Sequence, residues 1–183
     1  ARQCVDDIED AKNRRRKAFS DCLDVVGDHL STFYAELTKS DRHALGGSAS
    51  LSPVDTDEPY LGGLAFHATP PSKKFCDIAQ LSGGERTLAS LALLFALHAD
   101  ANLNFFLLDE VDANLDAANI LKLANFLLSR CANNNLQVVA VSHKDQLYNS
   151  ADLLIGIAKD STTSRAFTLD LAIRFPSDDE NED

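Results

Sequence analysis

Leu81-Ser82-Gly83-Gly84-Glu85-Arg86 and, one apolar helical segment later, Phe105-Phe106-Leu107-Leu108-Asp109-Glu110 are the two stretches that decide the fold. The second is a short apolar run ending in two carboxylates, which is typical of a buried parallel strand with functional residues at its carboxyl end. The first places Glu85 three positions after Ser82, the pattern of a capping box at a helix start. Strands alternate with helices around both stretches, which predicts an α/β fold with a mostly parallel sheet.

Both stretches carry chemistry that suits a nucleotide phosphate. Gly83 and Gly84 allow the backbone to approach an anion closely, and the free N–H groups of the first helical turn point toward it. Asp109 is placed to hold Mg²⁺ and Glu110 to polarise the attacking water, as in P-loop ATPases. A phosphate-binding loop is missing from the sequence, because that loop requires Gly-Lys and no Gly here precedes a Lys. The sequence therefore predicts half of an ATP site, completed by another polypeptide segment.

Each motif also has a plainer interpretation. An isolated Asp-Glu pair usually caps a strand-to-helix turn, and an isolated Ser-Gly-Gly is usually only a capped turn. The two motifs stand here in a fixed order, with Ser-Gly-Gly one helix ahead of the apolar strand that ends in Asp109 and Glu110. This arrangement favours the nucleotide site.

The first part of the chain predicts one long helix. Apolar residues recur at steps of three and four from Cys4 to Leu37, without Pro and with one break in the basic segment 14–17. A narrow apolar seam fits one strand of a coiled coil better than a globular core helix, so we expect a partner helix. We divide the chain into a coiled-coil segment at 1–39, a lobe at 40–175 and an acidic disordered tail at 176–183.

Further elements are predicted within the lobe. A largely buried helix runs from Leu88 through Leu97, and Asp116 is a good N-cap for a second helix. The apolar positions of that second helix are Ile120, Leu123, Ala124, Leu127 and Leu128. Strands are predicted at 48–51, 63–69, 104–108, 137–141, 153–157 and 166–171.

Composition limits the possible classes of protein. A length of 183 residues with 45% hydrophobic residues suits one domain with a sizeable core, and a net charge of −11 argues against a nucleic-acid surface on its body. No apolar run approaches the about 18 residues of a membrane span. With no signal-peptide pattern at its start, the chain is expected to be an intracellular piece of a longer protein. Reduced thiols without metal-ligand spacing are expected at Cys4, Cys22, Cys76 and Cys131.

The order of the motifs resembles that of the ABC-type ATPases. A signature motif at residues 81–85 precedes a Walker B strand, a D-loop at 113–116 that ends in Asp116, and a switch histidine at His143. Glu85 stands where transporters usually carry Gln, and Asp109-Glu110-Val111-Asp112-Ala113 stands where they usually carry Asp-Glu-Pro-Thr. These two features resemble the SMC chromosomal ATPases, and the long N-terminal helix agrees with that resemblance.

Within this family the chain is most similar to the cohesin SMC subunit whose head binds the kleisin C-terminus. The matching text includes Leu51-Ser52-Pro53, Glu58-Pro59-Tyr60-Leu61, Leu154-Ile155-Gly156 and Thr168-Leu169-Asp170-Leu171. The resemblance implies the C-terminal lobe of an ABC-ATPase head, active only when the N-terminal lobe brings the phosphate loop. Other SMC branches, a coiled-coil ATPase of double-strand-break repair and a mainly structural ATP clamp stay open as alternatives.

The resemblance also implies cofactors, partners and residue roles. ATP and Mg²⁺ are the cofactors, with Asp109 on the metal, and Glu110 and His143 catalytic. The partner head's ATP contacts the signature residues, and the partners are the N-terminal lobe, a second SMC head in a heterodimer, the kleisin C-terminal winged-helix domain and, through the whole complex, DNA. No membrane is expected, and the location is the nucleus and its chromosomes. The signature residues are Leu81, Ser82, Gly83, Gly84 and Glu85. The predicted strand 166–171 is expected at the edge of the sheet, and we expect Leu169 and Leu171, which share one face of it, to be the kleisin anchors.

Overall fold

A computed structural model describes residues 2–74, 78–101, 103–134 and 136–171. Four helices, α1 to α4, and six strands, β1 to β6, lie within these residues, with one short 3-10 turn at Ile78–Gln80. The helices are α1 (Arg2–Thr38), α2 (Gly83–Asp100), α3 (Ala117–Asn134) and α4 (Asp145–Tyr148). The strands are β1 (Ser48–Pro53), β2 (Leu64–Thr69), β3 (Phe105–Asp109), β4 (Gln137–Val141), β5 (Leu153–Lys159) and β6 (Ser164–Asp170). The elements predicted from periodicity are therefore confirmed, with ends that differ by a few residues.

The long helix α1 has two different environments along its length. Its C-terminal third packs against α2 and contributes Leu30, Tyr34 and Leu37 to the core. Its N-terminal part is exposed, and Ile8 on the apolar seam leaves 56% of its surface accessible. Only the end of the seam is therefore covered by the lobe, and pairing of the rest with a second helix stays a prediction.

The prediction of a mostly parallel sheet is wrong for the described residues. They form three separate two-stranded ladders, of which β3–β4 is parallel and β1–β2 and β5–β6 are antiparallel. The reason is connection length: α3 provides the crossover that a parallel pair requires between β3 and β4. A short turn closes β5 onto β6, with Asp160 and Thr163 exchanging backbone hydrogen bonds of 2.9 and 3.2 Å.

The strands β3 and β4 are also less buried than predicted. Phe106 and Leu108 of β3 lie in the core, whereas Phe105 and Leu107 on its other face are exposed, as is most of β4. The cause is that helices cover one face of this pair. The Phe95 ring of α2 lies 5.1 Å from the Phe106 ring of β3, and α3 contacts β4. Nothing among the described residues covers the opposite face, so the apolar side chains there remain in solvent.

Aromatic rings join three helices to β3. Phe126 of α3 lies 5.0 Å from Phe95 of α2 and 5.5 Å from Phe33 of α1, measured between ring centroids. Arg130 of α3 stacks over Phe33 and forms an ion pair of 2.6 Å with Glu36 of α1. These contacts fix the end of the long helix to the layer that carries the ends of β3 and β4.

The loop between β1 and β2 contacts the exposed part of α1. Arg16 Nη2 donates to the Asp57 carbonyl oxygen at 2.9 Å, and the Arg15 guanidinium lies 4.3 Å from the centre of the Tyr60 ring. Arg15 and Arg16 of the basic segment 14–17 therefore contact the β1–β2 loop of the same chain.

Two predictions fall on other parts of the chain. Cys76 and the acidic tail at 176–183 lie outside the described residues, as do the last residues, 172–175, of the predicted lobe. Among the residues that the structure does describe, no helix is long and apolar enough to cross a membrane.

Candidate nucleotide site

The predicted capping box forms at the start of α2. Ser82 Oγ accepts the backbone N–H of Glu85 at 3.3 Å, and Glu85 Oε2 accepts the backbone N–H of Ser82 at 2.7 Å. Leu81, just before the cap, is buried in the core. Reciprocal bonds of this kind hold the first turn of a helix rigidly, and the macrodipole of α2 adds partial positive charge at the same end. The signature segment is thus a preformed helix start.

Lys73 is a member of this cluster that the sequence did not single out. Its Nζ donates to Glu85 Oε2 at 2.7 Å and to the Gln80 carbonyl oxygen at 3.2 Å. Burial raises the pKa of the Glu85 carboxyl, but the hydrogen bonds from Lys73 and from Ser82 outweigh it, so the pKa lies below its usual value. No spacing rule links Lys73 to Glu85, because the contact depends on how the loop before α2 folds back.

The two glycines of the signature segment have different surroundings. A Cβ atom added to Gly83 would meet nothing within 4 Å, so the backbone there is open to an incoming group. A Cβ atom on Gly84 would lie 3.2 Å from the Asn114 carbonyl oxygen. Gly83 therefore suits close approach of an anion, whereas Gly84 allows α2 to pack against the segment 113–116.

The two predicted carboxylates lie at the end of β3. Asp109 is its last residue and is paired in register with Val141 of β4. Glu110 follows with a φ of 47°, the left-handed region that residues other than Gly rarely adopt, and its N–H donates to the Val141 carbonyl oxygen at 3.0 Å. This conformation turns the chain sharply after Asp109, so Asp109 ends the strand and Glu110 leaves it.

His143 and Glu110 are brought together although 33 residues separate them. His143 Nε2 lies 3.1 Å from Glu110 Oε1, in an exposed pair at the carboxyl ends of β3 and β4. The parallel register of the two strands makes this possible, because it places both strand ends at one edge. An imidazole at this distance can hold the carboxylate in one orientation and exchange a proton with it or with a water beside it.

Asp116 takes the predicted role of a helix cap. Its Oδ1 accepts the N–H of Asn119 at 2.8 Å, and α3 begins at the next residue. The neighbouring Leu115 is buried in the core. The segment 113–116 therefore lies between the signature segment, through the Gly84 contact, and the helix that follows the carboxylates.

The carboxylate set fits Mg²⁺ only as part of a larger ligand shell. No group of three or more His, Cys, Asp or Glu side chains within the described ranges could hold a metal ion. Magnesium in nucleotide sites is commonly held by one or two carboxylates together with phosphate oxygens and water. Asp109, exposed at the strand end, suits one such position, and the remaining ligands would come from nucleotide, water and another segment.

The predicted kleisin anchors lie on the outer hairpin. Leu169 of β6 is 60% exposed, and β6 pairs only with β5 within the part of the chain that is described. The predicted strand 166–171 included Leu171, but β6 ends at Asp170, so Leu171 lies one residue beyond the strand. Leu171 still donates its N–H to the Asp152 carbonyl oxygen at 2.8 Å, and its side chain is half-buried. The edge of β6 is open, but the two leucines differ in exposure.

Comparisons with known proteins agree with this fold. A family model described as RecF/RecN/SMC N terminal domain matches residues 11–165. Structural maintenance of chromosomes protein 1 of Schizosaccharomyces pombe is 44% identical over 160 residues, covering 87% of this chain and 13% of the relative. The protein of the same name from Saccharomyces cerevisiae is 43% identical over 166 residues, covering 88% of this chain and 14% of the relative. The chain spans about one seventh of the length of these relatives.

Solved structures give the same result. The Smc head domain with an extended coiled coil from Pyrococcus furiosus, bound to the C-terminal domain of ScpA, has a TM-score of 0.79 and 28% identity, covering 93% of this chain and 41% of that one. A structure described as structural biochemistry of ATP-driven dimerization and DNA stimulated activation of SMC ATPases has a TM-score of 0.74 and 29% identity, covering 85% of this chain and 90% of that one.

The fold and the site define a mixed α/β head domain of the SMC ATPase type. The chain belongs to the SMC family, and it is similar to Structural maintenance of chromosomes protein 1 from several organisms.

Proposed function

We propose that this chain is the C-terminal lobe of an SMC head and provides half of an ATP site. The observation that carries the proposal is the pairing of His143 Nε2 with Glu110 Oε1 at 3.1 Å, at the strand end that follows Asp109. The sequence contains this acidic end and a capped Ser-Gly-Gly helix start, but no phosphate-binding loop. A lobe with this content needs a second lobe to bind ATP.

The exposed apolar face of β3 and β4 supports the same assignment. Phe105, Leu107 and Val141 leave a large part of their surface in solvent along the two strands that end at the site. An uncovered apolar face beside functional residues is typical of an interface. We assign it to the N-terminal lobe of the same protein, which would add strands and the missing Lys-containing loop.

In the assembled head each cluster has its own role. Asp109 would hold Mg²⁺ together with phosphate oxygens and water, Glu110 would act as the general base toward a water, and His143 would position the Glu110 carboxylate. Leu81, Ser82, Gly83, Gly84 and Glu85 close over the ATP of a partner SMC head. Phosphoryl transfer of this kind depends mainly on positioning and charge stabilisation, so an isolated lobe should be nearly inert.

The other proposed partners are assigned by analogy with similar proteins. We propose a heterodimer with a second SMC head in a cohesin-like complex that acts on DNA in the nucleus. The edge of β6 with Leu169 and Leu171 would receive the kleisin C-terminal winged-helix domain, by analogy with the Smc head bound to the C-terminal domain of ScpA. ATP hydrolysis would then release the engaged heads.

Calorimetry tests the half-site. The isolated chain should give no ATP binding at micromolar nucleotide, and the chain mixed with the N-terminal lobe of its parent protein should bind ATP with Mg²⁺. The same mixture with a partner head should hydrolyse ATP. Micromolar ATP binding by the isolated chain would overturn the assignment, because it would require a complete phosphate site within these residues.

A further inference from the structure

Asp112 is a buried carboxylate beside the site to which the proposed function gives no role. It is the only charged residue within the described ranges that is classed as buried, with 2% of its surface accessible. Its Oδ2 accepts the hydroxyl hydrogen of Ser142 at 2.5 Å. A buried carboxylate loses its hydration, which is unfavourable. The contacts of Asp112 must therefore compensate for that loss.

Through Ser142, Asp112 is linked to the residues on both sides of His143. Ser142 precedes His143, and Ser142 Oγ also accepts the backbone N–H of Lys144 at 2.9 Å. The single hydroxyl of Ser142 therefore donates to the buried carboxylate and closes a turn around His143. Such side-chain-to-backbone bonds hold a short segment in one conformation.

Asp112 is equally tied to the turn that carries Glu110. Ala113 donates its N–H to the Glu110 carbonyl oxygen at 3.2 Å, and Leu115 donates its N–H to the Asp112 carbonyl oxygen at 3.0 Å. Glu110 itself has the left-handed φ of 47°. One compact turn thus fixes the backbone of Glu110 and presents Asp112 to Ser142.

The visible pair of His143 and Glu110 cannot supply this order by itself. Their side chains are 84% and 57% exposed, and exposed ion pairs contribute little and reorganise readily. The hydrogen bond from the half-buried Ser142 to the buried carboxylate of Asp112 is better shielded from water and therefore stronger and more restricted in geometry. The Ser142–Asp112 hydrogen bond is therefore better able than the exposed pair itself to fix the 3.1 Å contact between His143 and Glu110.

We propose that Asp112 is a positioning residue that, through Ser142, holds His143 against Glu110. The role of that pair in hydrolysis rests on the proposed function, whereas the mechanical link does not. Asp112 touches no nucleotide in this assignment and acts only through the segment 142–144.

The link is tested on the labelled 183-residue chain by hydrogen exchange and NMR. Ser142→Ala removes the hydroxyl, and we expect exchange of the Lys144 amide to rise by about tenfold or more, because its acceptor is lost. Asp112→Asn should raise the same exchange rate. The His143 ring resonances should respond to Glu110→Gln in the wild-type background and respond much less in the Ser142→Ala background.

Controls separate the link from general loosening. Ser150→Ala removes a hydroxyl that donates to the Gln146 carbonyl oxygen on the neighbouring helix, and it should leave Lys144 exchange and the His143 response unchanged. Ser142→Thr keeps a hydroxyl and should restore both readouts. An unchanged Lys144 exchange rate in Ser142→Ala, or an undiminished response of His143 to Glu110→Gln, would overturn the proposal.

A second arm uses the reassembled head. Ser142→Ala should lower kcat by about tenfold while KM for ATP stays the same, because general-base alignment is lost and nucleotide binding is not. A hydrolysing head whose kcat is unchanged by Ser142→Ala would contradict the positioning role. If the wild-type head does not hydrolyse ATP, the proposed function fails, and the exchange and NMR readouts still decide the link.

Discussion

A Cβ atom on Gly84 would lie 3.2 Å from the carbonyl oxygen of Asn114, so the signature helix and the segment after the carboxylates touch at this glycine. Both groups at this point belong to the backbone, that of Gly84 and that of Asn114. Neither can move aside as a flexible side chain can. The signature segment and the segment that follows Asp109 and Glu110 are therefore packed against each other.

Gly84→Ala should strain this contact, and Gly83→Ala is its matched control. A methyl group at Gly84 meets backbone, whereas one at Gly83 meets open space. We expect Gly84→Ala to lower the free energy of unfolding by about 1 kcal/mol relative to Gly83→Ala, measured by urea denaturation. Equal stability of the two variants would mean that the segment 113–116 yields to the methyl group at no cost.

Glu110→Gln should trap engaged heads. The substitution keeps the length and hydrogen-bonding reach of the side chain but removes the base, so we expect kcat of the reassembled head to fall by about two or more orders of magnitude. ATP-bound head dimers should then accumulate in gel filtration. Glu58→Gln, in the loop against α1, is the control and should hydrolyse normally. Monomeric Glu110→Gln heads in ATP would contradict the role given to Glu110.

Ser82→Arg should have the opposite effect on head engagement. The larger side chain would fill the place proposed for the γ-phosphate of the partner's ATP, whereas the head's own nucleotide is proposed to lie at Asp109 instead. ATP binding measured by calorimetry should be retained, and ATP-dependent dimers should be lost in gel filtration. Ser90→Arg adds the same group to an exposed position of α2 and should still dimerise. Dimers of Ser82→Arg would argue against the signature role.

Lys73→Met should make the stability of the lobe less dependent on pH in the acid range. The pKa of Glu85 is lowered in the folded chain from its ordinary value of 4.5, so the ionised form stabilises the fold above that value. That contribution disappears as the pH falls through the lowered pKa. Wild type should therefore melt higher than Lys73→Met at pH 7, and the gap should narrow as the pH falls below 4.5 and through the lowered pKa of Glu85. A gap of constant size would exclude the charge interaction as its cause.

Replacing Leu169 and Leu171 with Glu should abolish kleisin capture. Charged groups on the exposed edge of β6 would oppose the apolar docking that we propose, so a pull-down with the kleisin C-terminal domain should fail. ATP-driven head engagement should be unchanged. The control pair Ser164→Glu and Thr168→Glu adds equal charge to residues of β6 that alternate with Leu169, and it should retain capture. Capture by the Leu169 and Leu171 variant would remove this edge from the interface.

Local chemistry explains which elements the sequence could predict. The capping box at Ser82 and Glu85 and the cap of α3 at Asp116 both form, because each depends on residues within one helical turn. The bounds of β4 at Gln137–Val141 agree with the predicted strand, since β-branched residues and flanking Asn residues mark it. Near neighbours along the chain carry this information.

Strand burial and sheet pairing were harder to predict for a physical reason. An apolar run predicts a strand covered on both faces, yet Phe105 and Leu107 are exposed because α2 covers only one face of β3. The composition of a strand indicates how much apolar surface it has. Which segment covers that surface depends on the tertiary structure, which composition does not specify. The prediction of a mostly parallel sheet was wrong for the same reason, because strand pairing also depends on distant segments. The described residues form three separate ladders of two strands each.

By itself, the sequence determined the positions of the motifs, the helix starts and the missing phosphate loop. Tertiary structure alone decided that His143 meets Glu110 across 33 residues, that Asp112 is buried against Ser142, and that Lys73 reaches Glu85. These contacts depend on strand register and on the path of loops, which no spacing along the chain specifies. Hydrogen bonds act over about 3 Å, so only the folded chain can assign their partners.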